Sequence, residues 1–220
     1  MKMLEAPAPR ASVRRKLPPL ENGDRLTSAE FLRRYEAMPE LKKAELIEGR
    51  VHLMQPLSAE FHAEPDGILH TWLGIYALHK PGFKFYPNAT AILDADNTPQ
   101  PDSILCTTPR EGHRVWLNED GYLCGRPELV CEVAASSASI DLHDKLNAYR
   151  RNGVSEYLVW VVRERRVCWF ALEDERYVEM KPRHGILTSR IFPKLALDVK
   201  ALLRLDGAKV LATLQRRLAR

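Results

Sequence analysis

Three charged residues stand where two strands and a helix could bring them together. Asp102 opens one short apolar run, Glu132 lies inside another, and Lys145 follows on a segment with helical periodicity. If the two runs are neighbouring strands, both carboxylates and the amine would meet at one end of a sheet. Two carboxylates and an amine in that arrangement suit metal-dependent cleavage of a phosphodiester.

Glu132 carries the strongest physical argument. The surrounding run 129–134 (LVCEVA) is apolar on both sides of it, as in a strand buried on both faces, although periodicity alone also allows a buried helix. An unpaired carboxylate is unfavourable there, so a metal ion, a cation or a dense set of hydrogen-bond donors must meet Glu132. The alternative to a catalytic role is a structural ion pair with one of the 33 Lys and Arg residues.

Asp102 becomes informative only in combination with Glu132. It follows Pro101, and proline is tolerated as the first residue of a strand. The pair therefore predicts a strand that begins there, with Asp102 at its end. The alternative is that Pro101 and Asp102 merely form a turn.

The segment that carries Lys145 has clear helix signals. Its N-cap candidates and apolar stripe are Ser136, Ser137, Ser139, Leu142, Leu146 and Tyr149. Gly153 fits the position just after the helix C-terminus. Lys145 lies beside the apolar stripe, so its amine could reach the sheet. The alternatives are a surface lysine whose stem covers apolar side chains and an i, i+4 ion pair with Asp141.

Further motifs follow one another between about residues 27 and 203. In chain order they are AELIEGRVHLM at 44–54, Pro56, Ser58 and His62, the Pro101-Asp102 pair, ELVCEVAASS at 128–137, Asp141, Lys145 and Tyr149, and GVSEYLVW at 153–160. This ordered set resembles the Uma (Uma-two) family of restriction endonucleases, within the PD-(D/E)xK nuclease superfamily. The resemblance implies an α/β fold with a restriction-endonuclease-like core, in which α-helices flank both sides of a central mixed β-sheet.

The resemblance also implies an activity and its residues. The implied function is hydrolysis of DNA phosphodiester bonds by an endonuclease that depends on Mg²⁺, with Mn²⁺ as an alternative ion. The implied catalytic residues are Asp102, Glu132, Lys145 and Glu45, and the implied metal ligands are Asp102, Glu132 and the backbone carbonyl of Val133. Glu48 competes with Glu45 as the acid of the first motif, and solvation in a turn is the alternative for both.

The sequence departs from the superfamily pattern after the second acid. Lysine usually stands two residues beyond that acid, where this chain has Ala134, so the resemblance implies that the amine comes from Lys145. Ala135 stands where the family usually has serine, and Pro65 follows His62 where continuous helix is expected. These departures support a second interpretation, a catalytically inactive nuclease fold that binds DNA or another protein. Action on RNA is a third interpretation. His62 belongs to the family motifs, but it could instead serve only as a local hydrogen-bonding residue.

Other catalytic classes lack their signatures. The seven histidines form no H-E-x-x-H pair, so a zinc enzyme is not indicated. No serine stands in a G-x-S-x-G elbow, so a serine hydrolase is not indicated. The acidic segment 94–97 predicts a turn, because the remaining ligands of a calcium loop are missing.

The composition describes an ordinary globular protein. The 220 residues suit one domain with a sizeable core, and 45% apolar with 28% charged residues argue against a disordered chain. A net charge of +4 is compatible with nucleic acid without requiring it. The four cysteines form no C-x-x-C pair and are expected to be buried thiols in a reducing compartment. Without a bilayer-spanning apolar run or a secretory signal core, a cytoplasmic protein with no membrane contact is expected.

The expected domain organisation has three parts. Residues 1–25 are proline-rich and basic and predict a flexible arm, whereas residues 26–205 form the nuclease domain. Within that domain, helices are predicted to begin at Thr27 and near Pro65. Residues 206–220 predict a C-terminal helical tail that packs on a partner subunit or stays solvated. Because two cuts on a duplex suit two-fold symmetry, a homodimer is expected.

Overall fold

The structure is a computed structural model that describes residues 17–54 and 56–219. In chain order its strands are β1 (Ala44–Ile47), β2 (Arg50–Leu53), β3 (Phe83–Pro87), β4 (Ala91–Ile92), β5 (Ser103–Thr107), β6 (Val115–Leu117), β7 (Leu123–Gly125), β8 (Leu129–Ala134), β9 (Glu156–Val161), β10 (Arg166–Glu173), β11 (Arg176–Glu179), β12 (Ile186–Thr188) and β13 (Ala196–Asp198). The helices are α1 (Ser28–Tyr35), α2 (Glu64–His79), α3 (Lys145–Arg151), α4 (Val199–Leu202) and α5 (Gly207–Leu218). Two π-helical turns, Ala59–Ala63 and Ile140–Asp144, lead directly into α2 and α3.

A mixed sheet forms the centre of the described part of the chain. Its strands are hydrogen-bonded in the order β11-β10-β9-β8-β5-β3. β8 and β9 run parallel, whereas the other neighbouring pairs are antiparallel. Every residue of β8 and β9 is buried, as expected for strands that are covered on both faces. The strand predicted around Glu132 is therefore present.

Helices cover both faces of this sheet. On one face, α2 and α5 pack into a core with Trp72, Trp169 and Leu214, and the two tryptophan rings meet edge to face at 5.9 Å. On the other face, Tyr149 of α3 packs against Tyr157 of β9, with ring centroids 4.8 Å apart. This architecture confirms the predicted α/β fold with helices on both sides of a central mixed sheet.

β1 and β2 form a hairpin that stands beside the main sheet. Its turn contains Glu48 and Gly49 with φ angles of 51° and 71°, and glycine adopts such angles without steric strain. Glu45 is buried on β1. Backbone hydrogen bonds between Leu46 and Thr98 tie the hairpin to the segment that precedes β5. The hairpin thereby holds Glu45 close to the start of β5.

Two helices that carry site residues begin with a π-helical turn. The turn before α2 begins at Ala59 and contains His62, and the turn before α3 contains Asp141. Pro65 lies in the first turn of α2, where its missing N–H is not needed. The sequence predicts a helix start near Pro65, whereas helical structure begins earlier, at Ala59. Turns of this kind widen a helix and frequently occur at functional sites.

The N-terminal segment is only partly described. Of the predicted arm, residues 1–16 lie outside the described residues. Leu20 is buried in a small core beneath the hairpin, and the N–H of Gly23 donates to the carbonyl of Val51 at 2.8 Å. Contacts with the domain therefore begin before residue 26, the boundary that the sequence predicts.

The C-terminal helix α5 belongs to the same core as the main sheet. Val210 and Leu214 are fully buried there, against α2 and β13. The sequence predicts a separate tail from residue 206, which packs on a partner or stays solvated. In the structure α5 instead covers the chain's own apolar surface.

Two further predictions concern membranes and cysteines. No helix within residues 17–54 and 56–219 is both long enough and apolar enough to cross a bilayer. Cys106, Cys124, Cys131 and Cys168 are all buried and unbridged. The predicted buried thiols are therefore present.

Candidate active site

The site is built where β5 and β8 lie side by side. The two strands are antiparallel, with Ser103 opposite Cys131. Extending that register by one residue sets Asp102 opposite Glu132. Asp102 Oδ2 accepts a hydrogen bond from the N–H of Val133 at 2.8 Å. This bond fixes the Asp102 carboxylate beside the middle of β8, so the two acids meet as the sequence predicts.

Glu132 is buried and paired with a cation. Its Oε1 accepts hydrogen bonds from Lys145 Nζ at 2.9 Å and from the Tyr149 hydroxyl at 3.0 Å. Lys145 and Tyr149 lie one turn apart on α3, so a single helix face supplies both donors. Burial raises the pKa of Glu132 well above its usual value, although Lys145 acts in the opposite direction. The structure thus contains the ion pair that a buried Glu132 requires.

Lys145 joins three carboxylates. Its Nζ lies 2.9 Å from Glu132 Oε1, 2.9 Å from Glu45 Oε2 and 3.4 Å from Asp141 Oδ1. Burial acts to lower the pKa of Lys145, but the nearby carboxylates outweigh it and raise the pKa well above its usual value. The i, i+4 pair with Asp141 and the reach of the amine to the sheet, which the sequence offers as alternatives, therefore occur together.

Two of these three carboxylates, Glu45 and Asp141, are held by further hydrogen bonds. Glu45 Oε1 accepts from the N–H of Gln100 at 2.8 Å, and Asp141 Oδ2 accepts from Ser137 Oγ at 2.5 Å. Glu48, by contrast, lies in the hairpin turn and accepts a hydrogen bond from a side chain farther along α3. Of the two competing acids of the first motif, Glu45 is the one that contacts Lys145.

Asp102 contacts two basic side chains, Lys43 and His62. Its Oδ1 lies 3.1 Å from Lys43 Nζ and 3.6 Å from His62 Nε2. Burial acts to raise the pKa of Asp102, but His62 and Lys43 outweigh it and hold the pKa well below its usual value. Burial likewise acts to lower the pKa values of Lys43 and His62, and Asp102 raises both. Asp102 is therefore ionised at neutral pH.

His62 links Asp102 to the backbone of β8. Its Nδ1 lies 3.0 Å from the carbonyl oxygen of Val133, while its Nε2 faces Asp102 Oδ1. In this arrangement Nδ1–H donates to the carbonyl. One imidazole ring therefore contacts both the Val133 carbonyl and the Asp102 carboxylate. They are two of the three metal ligands that the resemblance implies.

Helix α2 supports Asp102 from its backbone side. His70 Nε2 lies 2.8 Å from the carbonyl oxygen of Asp102 and 3.0 Å from Asp66 Oδ1. Burial acts to lower the pKa of His70, but Asp66 outweighs it and raises the pKa. Contacts of this kind commonly orient the side chains of a metal or catalytic site.

A cleft of about 600 Å³ opens beside His62. Ala135, the first residue after β8, lies in one wall. Arg163, the second residue after β9, lies at the rim. Arg163 Nε donates to the carbonyl of Ala135 at 3.1 Å, and its guanidinium carbon lies 4.4 Å from the ring centroid of Phe61. The cleft is therefore lined both by a fixed arginine and by His62, which contacts Asp102.

Comparison with known protein families gives one extended match. Residues 28–200 match the family model Uma2, described as putative restriction endonuclease. The chain belongs to the Uma2 family. The motif residues Glu45, Asp102, Glu132 and Lys145 all lie within the matched range, so the resemblance drawn from the order of the motifs is confirmed.

A solved structure supports the fold of this Uma2 family member. It is a putative nuclease belonging to DUF820 from Anabaena variabilis ATCC 29413, with a TM-score of 0.61 and 14% sequence identity. The similarity covers 79% of this chain and 97% of that chain. At this identity the similarity concerns the fold. No curated protein matches the chain.

The donor set of the site fits a hard divalent cation with few protein ligands. The carboxylates Glu45, Asp102, Glu132 and Asp141 outnumber the ammonium groups of Lys43 and Lys145. Within residues 17–54 and 56–219, no group of three or more His, Cys, Asp or Glu side chains is arranged to hold a metal ion. Mg²⁺ is usually bound by one or two carboxylates together with water and substrate phosphate. Asp102 and Glu132 supply two carboxylates of this kind.

Lys43 and the α2 residues that support Asp102 lie outside the sequence motifs. Lys43 lies two residues before Glu45, and alternate residues of an extended segment point to the same side. That spacing was the available signal for Lys43. Asp66 and His70 belong to no motif, and their contacts with Asp102 depend on how α2 packs against β5.

Proposed function

We propose that this Uma2 family member is a metal-dependent endonuclease that hydrolyses phosphodiester bonds in DNA. The observation that carries the proposal is the meeting of Asp102 and Glu132, from neighbouring strands, with lysine side chains at one buried site. Membership of a family described as putative restriction endonuclease supports DNA as the substrate. Mg²⁺ is the proposed ion, with Mn²⁺ as the alternative.

The side chains of the site have separate tasks in this proposal. The residues that would hold the ion are Asp102, Glu132 and the carbonyl of Val133, with Glu45 as a further ligand. A bound Mg²⁺ supplies an acidified water and offsets the charge of the scissile phosphate. Lys145, the amine that the resemblance assigns to the site, holds Glu132 and Glu45 in position. His62 would hold the Val133 carbonyl in place through its hydrogen bond.

The cleft beside His62 is the proposed path of the DNA strand. Its rim carries Arg163, whose guanidinium group suits a backbone phosphate. Cutting both strands of a duplex calls for two copies related by a two-fold axis, so a homodimer is part of the proposal. The four buried thiols suit a reducing, cytoplasmic location.

Replacement of the two acids tests the proposal. Wild-type protein is expected to nick supercoiled plasmid in the presence of Mg²⁺ or Mn²⁺ and to stop when EDTA is added. Asp102→Asn and Glu132→Gln keep the side-chain shape, remove the charge and are expected to leave no detectable nicking. Asp120→Asn changes an exposed acid in the turn between β6 and β7 and is the matched control. Equal nicking by all four proteins would contradict the assignment of the site.

Ion binding separates this proposal from an inactive nuclease fold. Titration with Mn²⁺, followed by calorimetry, is expected to show binding to the wild type that weakens strongly in Asp102→Asn and in Glu132→Gln. A wild type that binds no divalent ion and cuts no DNA would favour the inactive module instead. In that case DNA binding in the absence of metal would be the remaining activity to measure.

A further inference from the structure

Two lysines reach the carboxylates of the site, and their surroundings differ. Lys145 approaches from α3, whereas Lys43 approaches from the segment just before β1. The side chain of Lys145 is 3% exposed and that of Lys43 is 15% exposed. The two amines therefore differ in whether a substrate can reach them.

Lys145 is enclosed by carboxylates. Its Nζ donates a hydrogen bond to Glu132 Oε1 and also lies 2.9 Å from Glu45 Oε2 and 3.4 Å from Asp141 Oδ1. Leaving these contacts would strand buried carboxylates without a cation, which is strongly unfavourable. Lys145 is therefore fixed among the acids during any reaction at the site.

Lys43 is held more loosely. Its Nζ contacts one carboxylate oxygen, Asp102 Oδ1 at 3.1 Å, so two of its three N–H donors have no carboxylate partner among the described residues. An ammonium group on a flexible four-carbon stem can turn from one anionic oxygen to another nearby. A phosphate oxygen that arrives beside Asp102 is such an acceptor.

Lys43 also lies next to the cleft. Its backbone carbonyl accepts a hydrogen bond from the N–H of Met54 at 3.2 Å, and Met54 lines the cleft. His62, another lining residue, lies 3.6 Å from the same Asp102 oxygen that Lys43 contacts. The backbone of Lys43 is thus hydrogen-bonded to one lining residue, and its amine shares an Asp102 oxygen with another.

From this geometry we infer that Lys43 is the catalytic lysine, whose ammonium group contacts the scissile phosphate, and that Lys145 is a positioning residue for Glu132 and Glu45. The inference rests on the proposed endonuclease function and assigns a residue that the motifs do not include. In the hydrolysis, a bond forms between the water oxygen and phosphorus while the bond from phosphorus to the leaving oxygen breaks. The water loses one proton and the leaving oxygen gains one. Lys43 stabilises the added charge on the phosphate and supplies no atom.

Lys43→Met separates catalysis from metal binding. The substitution keeps the length of the side chain, removes the amine and frees Asp102 of a competing cation. Mn²⁺ affinity is therefore expected to equal or exceed that of the wild type, while the single-turnover cleavage rate falls by about 100-fold or more. Lys42→Met changes the exposed neighbour and is expected to cut at the wild-type rate.

Chemical restoration of the amine gives a second measurement. Lys43→Cys is expected to be as slow as Lys43→Met, and alkylation with 2-bromoethylamine, which rebuilds a lysine-like side chain, is expected to recover most of the rate. The four native cysteines are buried, so the wild type treated in the same way serves as the control for reaction elsewhere.

The cleavage rates and Mn²⁺ affinities of the Lys43 variants decide whether Lys43 is catalytic. Slow cleavage with intact Mn²⁺ binding and recovery after alkylation support the catalytic role of Lys43. Wild-type rates in Lys43→Met overturn it, and so does a loss of Mn²⁺ binding that parallels the loss of rate, because Lys43 would then act only through Asp102. If the wild type binds Mn²⁺ but cuts no DNA, the proposed function itself fails, which the wild-type assay alone reveals.

Discussion

Lys145 neutralises charge among three buried carboxylates. Both the stability of the folded protein and the arrangement of the site therefore depend on Lys145. The side chains of Lys145, Glu45, Glu132 and Asp141 are each at most 4% exposed. Removing one partner of a buried ion pair leaves an uncompensated charge in a medium that solvates it poorly. The contribution of Lys145 should therefore be measurable without any substrate.

Lys145→Met is expected to lower the free energy of unfolding by about 3–5 kcal/mol, because it leaves buried carboxylates without their cation. The loss should be smaller at pH 5 than at pH 8. Burial raises the pKa of Glu132 in the folded protein. Such a carboxyl destabilises the fold as pH rises from its unfolded-state pKa to its folded-state pKa. At lower pH the protonated Glu132 needs no cation. Urea denaturation at both pH values measures the effect.

Lys42→Met is the control for this prediction. It removes the same charge from an exposed side chain, and a change within about 0.5 kcal/mol is expected. If both variants lose the same stability, or if the loss in Lys145→Met does not depend on pH, the carboxylates do not rely on Lys145.

The sequence predicts these residues unequally, for physical reasons. A glutamate inside an apolar strand requires a partner, and Lys145 beside an apolar helical stripe is a natural candidate. The contact between Lys43 and Asp102 instead depends on how the β1–β2 hairpin docks beside β5. No local pattern specifies that docking, so Lys43 could not be assigned from its neighbours alone.

At the scale of elements, two connections meet at the rim of the cleft. The π-helical turn before α2 carries Phe61, and the turn between β9 and β10 carries Arg163. The guanidinium lies over the Phe61 ring and is tethered to the carbonyl of Ala135. A cation held over an aromatic ring loses less conformational freedom when it binds an anion. The two connections together therefore restrain Arg163 beside the cleft.

Arg163→Gln is expected to weaken DNA binding uniformly across sequences. Loss of one phosphate contact should also reduce the slope of the logarithm of the affinity against the logarithm of the salt concentration by about one. Fluorescence anisotropy of a labelled oligonucleotide, measured in EDTA over a series of salt concentrations, reports both quantities without cleavage.

Arg165→Gln supplies the matched comparison. It removes the same charge two residues farther on, from an exposed side chain that does not line this cleft. Its salt slope should stay at the wild-type value. Identical slopes for the two variants would mean that Arg163 contributes only through the overall charge of the protein.

The elements themselves follow from the sequence more closely than their junctions do. Runs apolar on both faces predict β8 and β9, and the helical stripe with Gly153 predicts α3 and its end. The π-helical turn that contains His62 is not predicted, because Pro65 is a strong signal for a helix start. Local sequence does not distinguish a wide turn that precedes such a proline from a loop, and only packing against β8 selects it.

At the scale of the whole molecule, the C-terminal helix α5 completes the core. The leucines at 211, 214 and 218 predict an amphipathic helix, but their spacing does not show which apolar surface that helix covers. In the structure α5 packs on α2 and β13, so residues distant in sequence from the site close the face of the sheet opposite α3. The amphipathic pattern was sufficient for the helix and insufficient for its location.

Leu214→Ala tests whether α5 belongs to the domain core. Leu214 is fully buried, so its truncation should lower the free energy of unfolding by about 2–5 kcal/mol through lost burial and the cavity left behind. Leu211→Ala removes the same atoms from a partly exposed position on the same helix and should have a smaller effect. Guanidinium denaturation of both variants and the wild type gives the comparison.

Protein concentration distinguishes this arrangement from a helix that packs on a partner subunit. If α5 covers its own domain, the loss in Leu214→Ala should be the same at all protein concentrations. If the helix instead stabilised a dimer, mass action would make the denaturation midpoint rise with protein concentration, and the variant would shift that dependence. A concentration-dependent loss, or equal losses in Leu214→Ala and Leu211→Ala, would therefore contradict the packing of α5 on α2 and β13.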